Sequence, residues 1–508
     1  MRSNASATSF GRRDRTFRWI AAAALLAYGV LLFANLSGGL GGADTAGYAN
    51  TARDIVSGRV VVPVDAPSLL GIDESWSRLF VPLAEYPGPL PGTMVPYYPP
   101  GFPLHIALFS LVAGWRMGPF LVSPILALAT LVLMYLLARE LNLSRPLAFA
   151  AAAMLAACSP FIAHAIQPMS DVAATAWCVA AMFCALKARR ATGWAAASGA
   201  AFGIAVLIRP ADALLILPLS LALPWRARPW VLFVAAGLPF AAFYGFWNSV
   251  AYGSPFRTGY AGQLASELSP AYFKARAVRY GWWMLIQLSP LVPLGWIGVA
   301  FARRVPMRDR ALLLTWFAAF FVFYCMWWSS ADSWEFGRYL LPAAPPLLIG
   351  FLLTLREALG GLPERNFNLG GRRISYRALA AAVVIGVVLL VEGRVERRLR
   401  PLHSARGQTV FPDGCRKLEA LAPDGKALVV SMEFSAAVRF YTRLTPVRWD
   451  LLTPNEFALL RAKAAESGYR MLGIAFAHET HRAAMAAPRS WRYVASAGHA
   501  TLWELPPP

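Results

Sequence analysis

Apolar stretches of about twenty residues recur along most of this chain, and they leave few folds open to it. A helix needs about 20 such residues to cross the hydrocarbon core of a bilayer, where the backbone must satisfy its own hydrogen bonds. The first stretch runs from about Trp19 to Leu36. Others follow at roughly 119–138, 146–164, 168–186, 193–208, 210–224, 229–248, 281–301, 311–328, 338–355 and 377–392. Composition agrees: 57% of the 508 residues are hydrophobic, 15% are charged, and the mean hydropathy is +0.47. A soluble chain carries about a quarter charged residues. Disorder, collagen and a disulfide scaffold are excluded by the same numbers. The expected fold is an all-α polytopic membrane protein.

Charge sets the expected orientation. The net charge is +21, and 43 of the 48 basic residues are Arg. Arginines between hydrophobic spans mark cytoplasmic loops, so nucleic acid is not the expected partner. The Arg bias, with abundant Ala, Gly and Pro, points to a GC-rich bacterial genome. Arg12, Arg13, Arg15 and Arg18 precede the first stretch, and no small-residue cleavage site follows it. It reads as an uncleaved signal anchor with a cytoplasmic N-terminal tail, 1–17. The segment 101–115 is short and holds Pro103 and His105. If it does not cross, every short Arg-rich loop falls inside: Arg139 and Arg145, Lys187 to Arg190, Arg226 and Arg228, Arg303 to Arg310, and Arg356 to Arg377. This predicts about eleven crossings plus one partial segment, in a bacterial inner membrane.

Composition changes near Val395. The tail 395–508 reads as a small α/β domain on the extracytoplasmic side. Strands are predicted at 427–430, 447–451 and 471–476, helices at 436–441 and 454–467, and a closing hairpin over 491–505. It has no Gly-rich phosphate loop and no nucleophile elbow, so it reads as a cap or interaction module. The five cysteines form no CxxC pair, and the four in apolar stretches read as small fillers.

The remaining polarity falls in five places that this topology puts on the outer face. Asp44 opens a predicted amphipathic helix on the membrane surface, with Tyr48, Ala52 and Ile55 at helical spacing. It can be a plain N-cap, or a base for an acceptor hydroxyl. Tyr98 lies in Tyr97-Tyr98-Pro99-Pro100, a rigid junction or a cavity wall. Asp171 follows Ser170 at the start of a span. Arg209 sits between two apolar segments, where it either pairs with Asp212 or meets a phosphate. Arg338, in Gly337-Arg338-Tyr339-Leu340-Leu341-Pro342, either pairs with Glu335 or meets the same phosphate. The loop 249–280 carries Arg257, Lys274, Arg276 and Arg279, which suit lipid headgroups or a lid over an anionic donor. His105 and His164 read as isolated interior or interfacial histidines.

These pieces, in this order, resemble the GT-C superfamily of integral-membrane glycosyltransferases. The similarity runs to the branch of protein O-mannosyltransferases and aminoarabinose transferases, over roughly 18–355. It rests on Asp44 with Tyr48 and Arg53, Tyr98-Pro99-Pro100, Ser170-Asp171, Arg209-Pro210 and the Arg338 segment. It implies a transmembrane transferase domain over 18–394, with 38–100 as its first external loop. The implied donor is a polyprenyl-phosphate-linked sugar, and the acceptor an envelope glycan, lipid or protein; membrane lipids are the other partners. Asp44 would then be the base, and Arg209 and Arg338 would hold the departing phosphate. Asp171 would shape the acceptor or metal site, while Tyr98, Tyr48 and Arg257 would contact substrate. Thr45 departs from the family, since many relatives carry a second acid there. No cofactor is expected, and nothing in the chain supports a divalent cation. The rival readings are a transporter or flippase of lipid-linked substrates, an O-antigen ligase or polymerase, and a structural envelope protein. The lack of an internal repeat counts against the transporter.

Overall fold

The computed structural model describes residues 3–260, 267–328, 333–363, 365–369 and 372–506. Seven helices are long and apolar enough to cross a membrane, or nine if each of two bent pairs is one span. Two shorter apolar helices, Trp194–Ile208 and Pro210–Ala222, complete a set that matches the eleven predicted stretches one for one. The chain is a multi-pass membrane protein.

Several stretches depart from straight spans. The predicted span 146–164 is two helices, Arg145–Ala156 and Ser159–Ala165, bent by 67°. Pro160 at the start of the second helix lacks the amide that would continue the first. The stretch 281–301 is likewise Pro270–Gln287 and Leu291–Phe301, bent by 109° at Ser289-Pro290. Pro210–Leu215 is a 3-10 turn before the short helix Ile216–Ala222. The first helix begins at Ser3, so much of the predicted tail 1–17 continues the first span as helix.

The segment 101–115 turns back on itself. Gly101–Glu140 is helical except at Gly114, whose φ of 73° and ψ of 160° are open to glycine and little else. A Cβ on Gly118 would lie 2.3 Å from the Ser110 Cα. The two arms therefore pack antiparallel, and only a residue without a side chain fits at Gly118. Ser123 in the second arm accepts a hydrogen bond from the Met169 amide at 3.2 Å, at the start of the helix Ser170–Lys187. The first arm is thus a partial segment beside the site end of the bundle.

The Arg-rich loops gather at the other end. Arg189 pairs with Asp309 at 2.6 Å, Arg190 with Glu140 at 3.2 Å, and Arg356 donates to the Asn142 carbonyl at 2.7 Å.

The C-terminal domain follows its predicted element order closely. Strands β6 (Ala427–Ser431), β7 (Thr445–Arg448), β8 (Arg470–Phe476), β9 (Arg492–Ala497) and β10 (Ala500–Leu505) form one sheet in the order β7-β6-β8-β10-β9. Strand β6 is parallel to β7 and β8, and β10 is antiparallel to β8 and β9. Helix Pro454–Glu466 starts with a capping box in which Thr453 and Glu456 satisfy each other's amides. Two helices the sequence did not show, Val410–Leu421 and Ala477–Ala486, also pack in this domain.

The segment 38–100 is welded to this domain. It carries a small sheet of β1 (Val62–Pro63), β2 (Glu85–Pro87) and β3 (Thr93–Pro96). Leu70, Leu79 and Phe80 share one apolar cluster with Leu428, Val430 and Val447. Arg439 holds Asp54 in a two-pronged pair at 3.0 Å and also pairs with Glu85. Helix Asp44–Val56 has no exposed polar stretch over Thr45 to Ala52, because these residues are all buried, in part beneath the domain. Asn50 donates to the Ala436 carbonyl at 2.9 Å, and the Arg53 guanidinium lies 3.6 Å from the Phe440 ring centre.

Candidate active site

Asp44 stands at the first position of its helix, where the helix dipole favours a negative charge. One carboxylate oxygen accepts a hydrogen bond from the Tyr98 hydroxyl, and the other pairs with Arg338 Nη1 at 2.9 Å. Arg338 comes from the 3-10 segment Trp334–Ala343 and also donates to the Tyr339 hydroxyl at 3.3 Å. Arg338 is therefore not paired with Glu335. The partners meet across 294 positions of sequence, which local spacing cannot show.

A second pair lies beside the first. Arg209 Nη2 meets Asp171 at 2.5 Å, and Arg209 Nε donates to the Ser170 hydroxyl at 3.2 Å. The Ser170 hydroxyl is also 3.0 Å from that of Tyr48. The ring centres of Tyr48 and Tyr98 are 4.4 Å apart. Arg209 does not pair with Asp212, whose carboxyl is fully buried beside the Cys178 thiol. The Tyr339 ring lies against both arginines, 5.7 Å from the Arg209 guanidinium carbon and 5.0 Å from that of Arg338.

Two cavities meet at this point. The larger, of about 660 Å³, is lined by Tyr48, Tyr97, Tyr98, Arg209, Tyr260 and Tyr339 and continues along Leu214, Leu217 and Phe323. The smaller, of about 360 Å³, lies against Gly41, His164, Gln167 and Gln408. Among the described residues, Asp44 and Arg338 alone line both. Within the larger cavity's wall, Arg209 Nη1 is buried and has no hydrogen-bond partner. A buried, unpaired guanidinium N–H is costly unless an acceptor fills its place. Burial pushes the hydroxyls of Tyr48 and Tyr98 far above the ordinary phenol range, helped by the nearby Asp44 charge, so both remain protonated donors.

The predicted residues sort as follows. Asp44, Tyr48, Tyr98, Arg209 and Arg338 converge on the larger cavity. Asp171 is sealed from both cavities and reaches them only through Arg209. Arg257 is exposed and lines neither cavity; Tyr260, three residues on, does. Sequence reasoning singled out Tyr260 only as part of the loop 249–280 and passed over Gln408, for which no local signal exists. Tyr339 was flagged only as the neighbour of Arg338. His105 is satisfied on both ring nitrogens, donating to the Gly101 carbonyl and accepting from Trp177.

Metal-ligand groupings lie elsewhere. Among the described residues, the one group of three with ligating atoms close together is Glu433, His478 and Glu479 in the C-terminal domain. The Glu479 oxygens already accept from the Phe476 and Glu433 amides and the Trp449 indole. Thr45 bonds to both the amide and the carbonyl of Gly41, at 2.7 and 2.8 Å, and so closes a local turn.

Residues 97–246 match the family described as dolichyl-phosphate-mannose-protein mannosyltransferase. That stretch includes Tyr98, Asp171 and Arg209 but neither Asp44 nor Arg338. No curated protein sequence matches the chain. Solved structures align over nearly its whole length. ArnT from Cupriavidus metallidurans bound to undecaprenyl phosphate is 16% identical, with 96% of this chain and 98% of that one covered and a TM-score of 0.55. The archaeal oligosaccharyltransferase AglB from Archaeoglobus fulgidus, in complex with an inhibitory peptide and a dolichol-phosphate, is 13% identical, covering 94% and 71% with a TM-score of 0.55. Arabinofuranosyltransferase AftD from Mycobacteria is 15% identical with a TM-score of 0.55, over 96% of this chain and 41% of its own. Over nearly its whole length the chain shares the overall fold of these membrane glycosyltransferase structures.

Proposed function

We propose that this chain transfers a sugar from a polyprenyl-phosphate donor to an acceptor hydroxyl at the outer face of a bacterial inner membrane. One observation carries the reading. Arg209 and Arg338, each held by a carboxylate, flank Tyr339 on the wall of a largely apolar cavity, and Asp44 stands between that cavity and a second one. A phosphate in this cavity meets the charge of both guanidiniums, while the prenyl chain runs along the apolar wall toward lipid. Undecaprenyl phosphate and dolichol-phosphate in structures of the same fold support such a ligand.

The acceptor oxygen, arriving from the smaller chamber, attacks the anomeric carbon on the face opposite the phosphate. Its proton passes to Asp44. The bond from the anomeric carbon to the phosphate oxygen breaks, and the electron pair stays on the phosphate. Arg209 and Arg338 stabilise the charge that develops there. Attack opposite the leaving group inverts the anomeric centre. Tyr98 orients Asp44, and Asp171 positions Arg209 without touching substrate. The Arg-rich end of the bundle faces the cytoplasm in this reading.

The test uses the full chain in nanodiscs with a panel of synthetic polyprenyl-phosphate sugars. Wild type should be thermally stabilised by undecaprenyl phosphate and should yield glycosylated product by mass spectrometry. Asp44→Asn should keep the stabilisation and lose the product. No stabilisation by undecaprenyl phosphate, or a fully active Asp44→Asn, would sink the reading. Orientation is tested by labelling Arg257→Cys and Arg303→Cys in whole cells with a membrane-impermeant maleimide; only the first should react, against a background of five buried cysteines.

A further inference from the structure

We infer that a third cavity, at the Arg-rich end of the bundle, binds a phosphate group. It stands apart from the transferase reading and uses none of its residues. The cavity measures about 390 Å³ and is lined by Leu141, Asn142, Arg304, Val305, Pro306 and Arg356. Three parts of the chain meet there: the turn after the helix Gly101–Glu140, the loop before the helix Met307–Met326, and the end of the helix Ala344–Gly360.

Arginines at this end differ in what their donors meet. Arg189 donates to the Ala222 and Leu221 carbonyls and to Asp309. Arg308 donates to the Leu221 and Leu223 carbonyls, and Arg310 to the Ala300 carbonyl. Arg356 gives one N–H, on Nη1, to the Asn142 carbonyl at 2.7 Å. The Arg304 guanidinium has no hydrogen-bond or ion-pair partner among the described residues. Its place is nonetheless fixed. The Arg304 backbone amide donates to both Glu357 oxygens, at 3.2 and 3.3 Å. A Cβ on Gly360 would overlap Arg304 Nη1, so this guanidinium lies across the helix one turn beyond Arg356. Residues four apart share a helix face, so the two cations sit on the same side. Two helices end here, and capping their carbonyls accounts for Arg356 but not for Arg304.

Among the described residues, no carboxylate lines this cavity. Glu357 is taken up by the Arg304 amide, and Asp309 pairs with Arg189 at 2.6 Å. Pro306 precedes the helix Met307–Met326, whose N-terminal end adds partial positive charge. A concave wall with two guanidiniums and no acid concentrates positive potential. One guanidinium fork already matches both oxygens of a carboxylate, whereas a phosphate has oxygens for two forks. Basic pockets between membrane helices are known to take lipid phosphates. Phe301 and Met307 bracket the loop and are each 78% exposed, which favours a phospholipid of the adjoining leaflet over free phosphate as the source.

The test is native mass spectrometry on the full chain in detergent, titrated with dioleoylphosphatidylglycerol, with phosphate-free dioleoylglycerol and with inorganic phosphate. Wild type should retain phosphatidylglycerol and release dioleoylglycerol. Arg304→Gln removes a guanidinium that holds no protein acceptor, so its Tm in detergent alone should match wild type. Its phosphatidylglycerol binding should weaken about five- to ten-fold, the loss of one exposed charged hydrogen bond. Gly360→Ala keeps every charge but displaces Arg304, and should weaken binding by a smaller factor. Arg228→Gln removes the same charge at the start of the helix Ala227–Tyr252, outside the cavity, and should change binding less than about two-fold. Inorganic phosphate that displaces the lipid from wild type but not from Arg304→Gln would support the site with a soluble occupant; failure to displace it supports the lipid. Equal retention of both lipids, binding untouched by Arg304→Gln, or equal losses in Arg304→Gln and Arg228→Gln overturns the inference.

Discussion

The two ends of the helical bundle both hold arginine, and they use it differently. At one end Arg189, Arg308 and Arg356 cap helix carbonyls or meet carboxylates on connecting loops. At the other, Arg209 is 13% exposed, faces a fully buried Asp171, and still has one N–H unpaired on a cavity wall. Charge alone does not separate these ends. Cavities adjoin arginine at both ends, since Arg304 and Arg356 line one of about 390 Å³ and Arg310 Nε is also buried and unpaired. What separates them is the company: Arg209 and Arg338 share one cavity wall with Tyr48, Tyr98, Tyr339 and Asp44.

That contrast can be broken or sharpened by experiment. The largest effect is expected at Asp44, where both cavities meet. Asp44→Asn should lower kcat by about 10²–10⁴ while leaving undecaprenyl-phosphate binding intact, read by single-turnover transfer. Next is the clamp over the site. Arg439→Ala leaves Asp54 and Glu85 buried without a partner and should cost about 3–5 kcal/mol of cap docking, read by faster proteolysis of the C-terminal domain.

The two ends are compared directly by matched substitutions. Arg209→Lys keeps the charge but loses the planar fork, and should weaken undecaprenyl-phosphate affinity about ten- to hundred-fold. Arg189→Lys should change it less than about two-fold. Equal losses at both would erase the distinction. A smaller effect is expected at the hairpin turn: Gly114→Ala meets no neighbour within 4 Å, so its cost is backbone strain alone, about 1–3 kcal/mol, read as a lowered Tm.

The smallest effect is a pH dependence of the clamp. Burial pushes the Glu85 carboxyl up to about 7, against the pull of Arg439. Its folded value exceeds the unfolded one, so its contribution is fully present below about 4.5 and is lost as pH rises through about 7. Melting of the cap should therefore fall by about 2–4 °C between pH 5 and pH 8, and Glu85→Gln should flatten that slope.

Much of this was legible in the chain itself. The apolar stretches, the Arg-rich loops at one end and the strand and helix order of the tail follow from periodicity and composition. Pro454 at the start and Glu456 in the first turn are local signals, so the helix there was found to within a residue. The convergence of Asp44, Tyr98, Arg209 and Arg338 was anticipated through family resemblance. Their partners were not: sequence proximity favoured Arg209 with Asp212 and Arg338 with Glu335. The actual partners, Asp171 and Asp44, lie 38 and 294 positions away. The bends at Cys158 and Ser289, though each adjoins a proline in the sequence, also escaped notice, because hydropathy does not record direction.

The sequence by itself determined that this chain enters a membrane, which segments are apolar enough to do so, and that a mixed α/β cap follows them. These are local properties, set by transfer free energy and hydrogen-bond satisfaction within each segment. Tertiary structure alone decided that Asp44 lines two chambers, that Asp171 meets Arg209, and that Gln408 lines the smaller chamber. Those outcomes depend on side chains tens to hundreds of residues apart being brought within about 3 Å, the scale on which hydrogen bonds and ion pairs act.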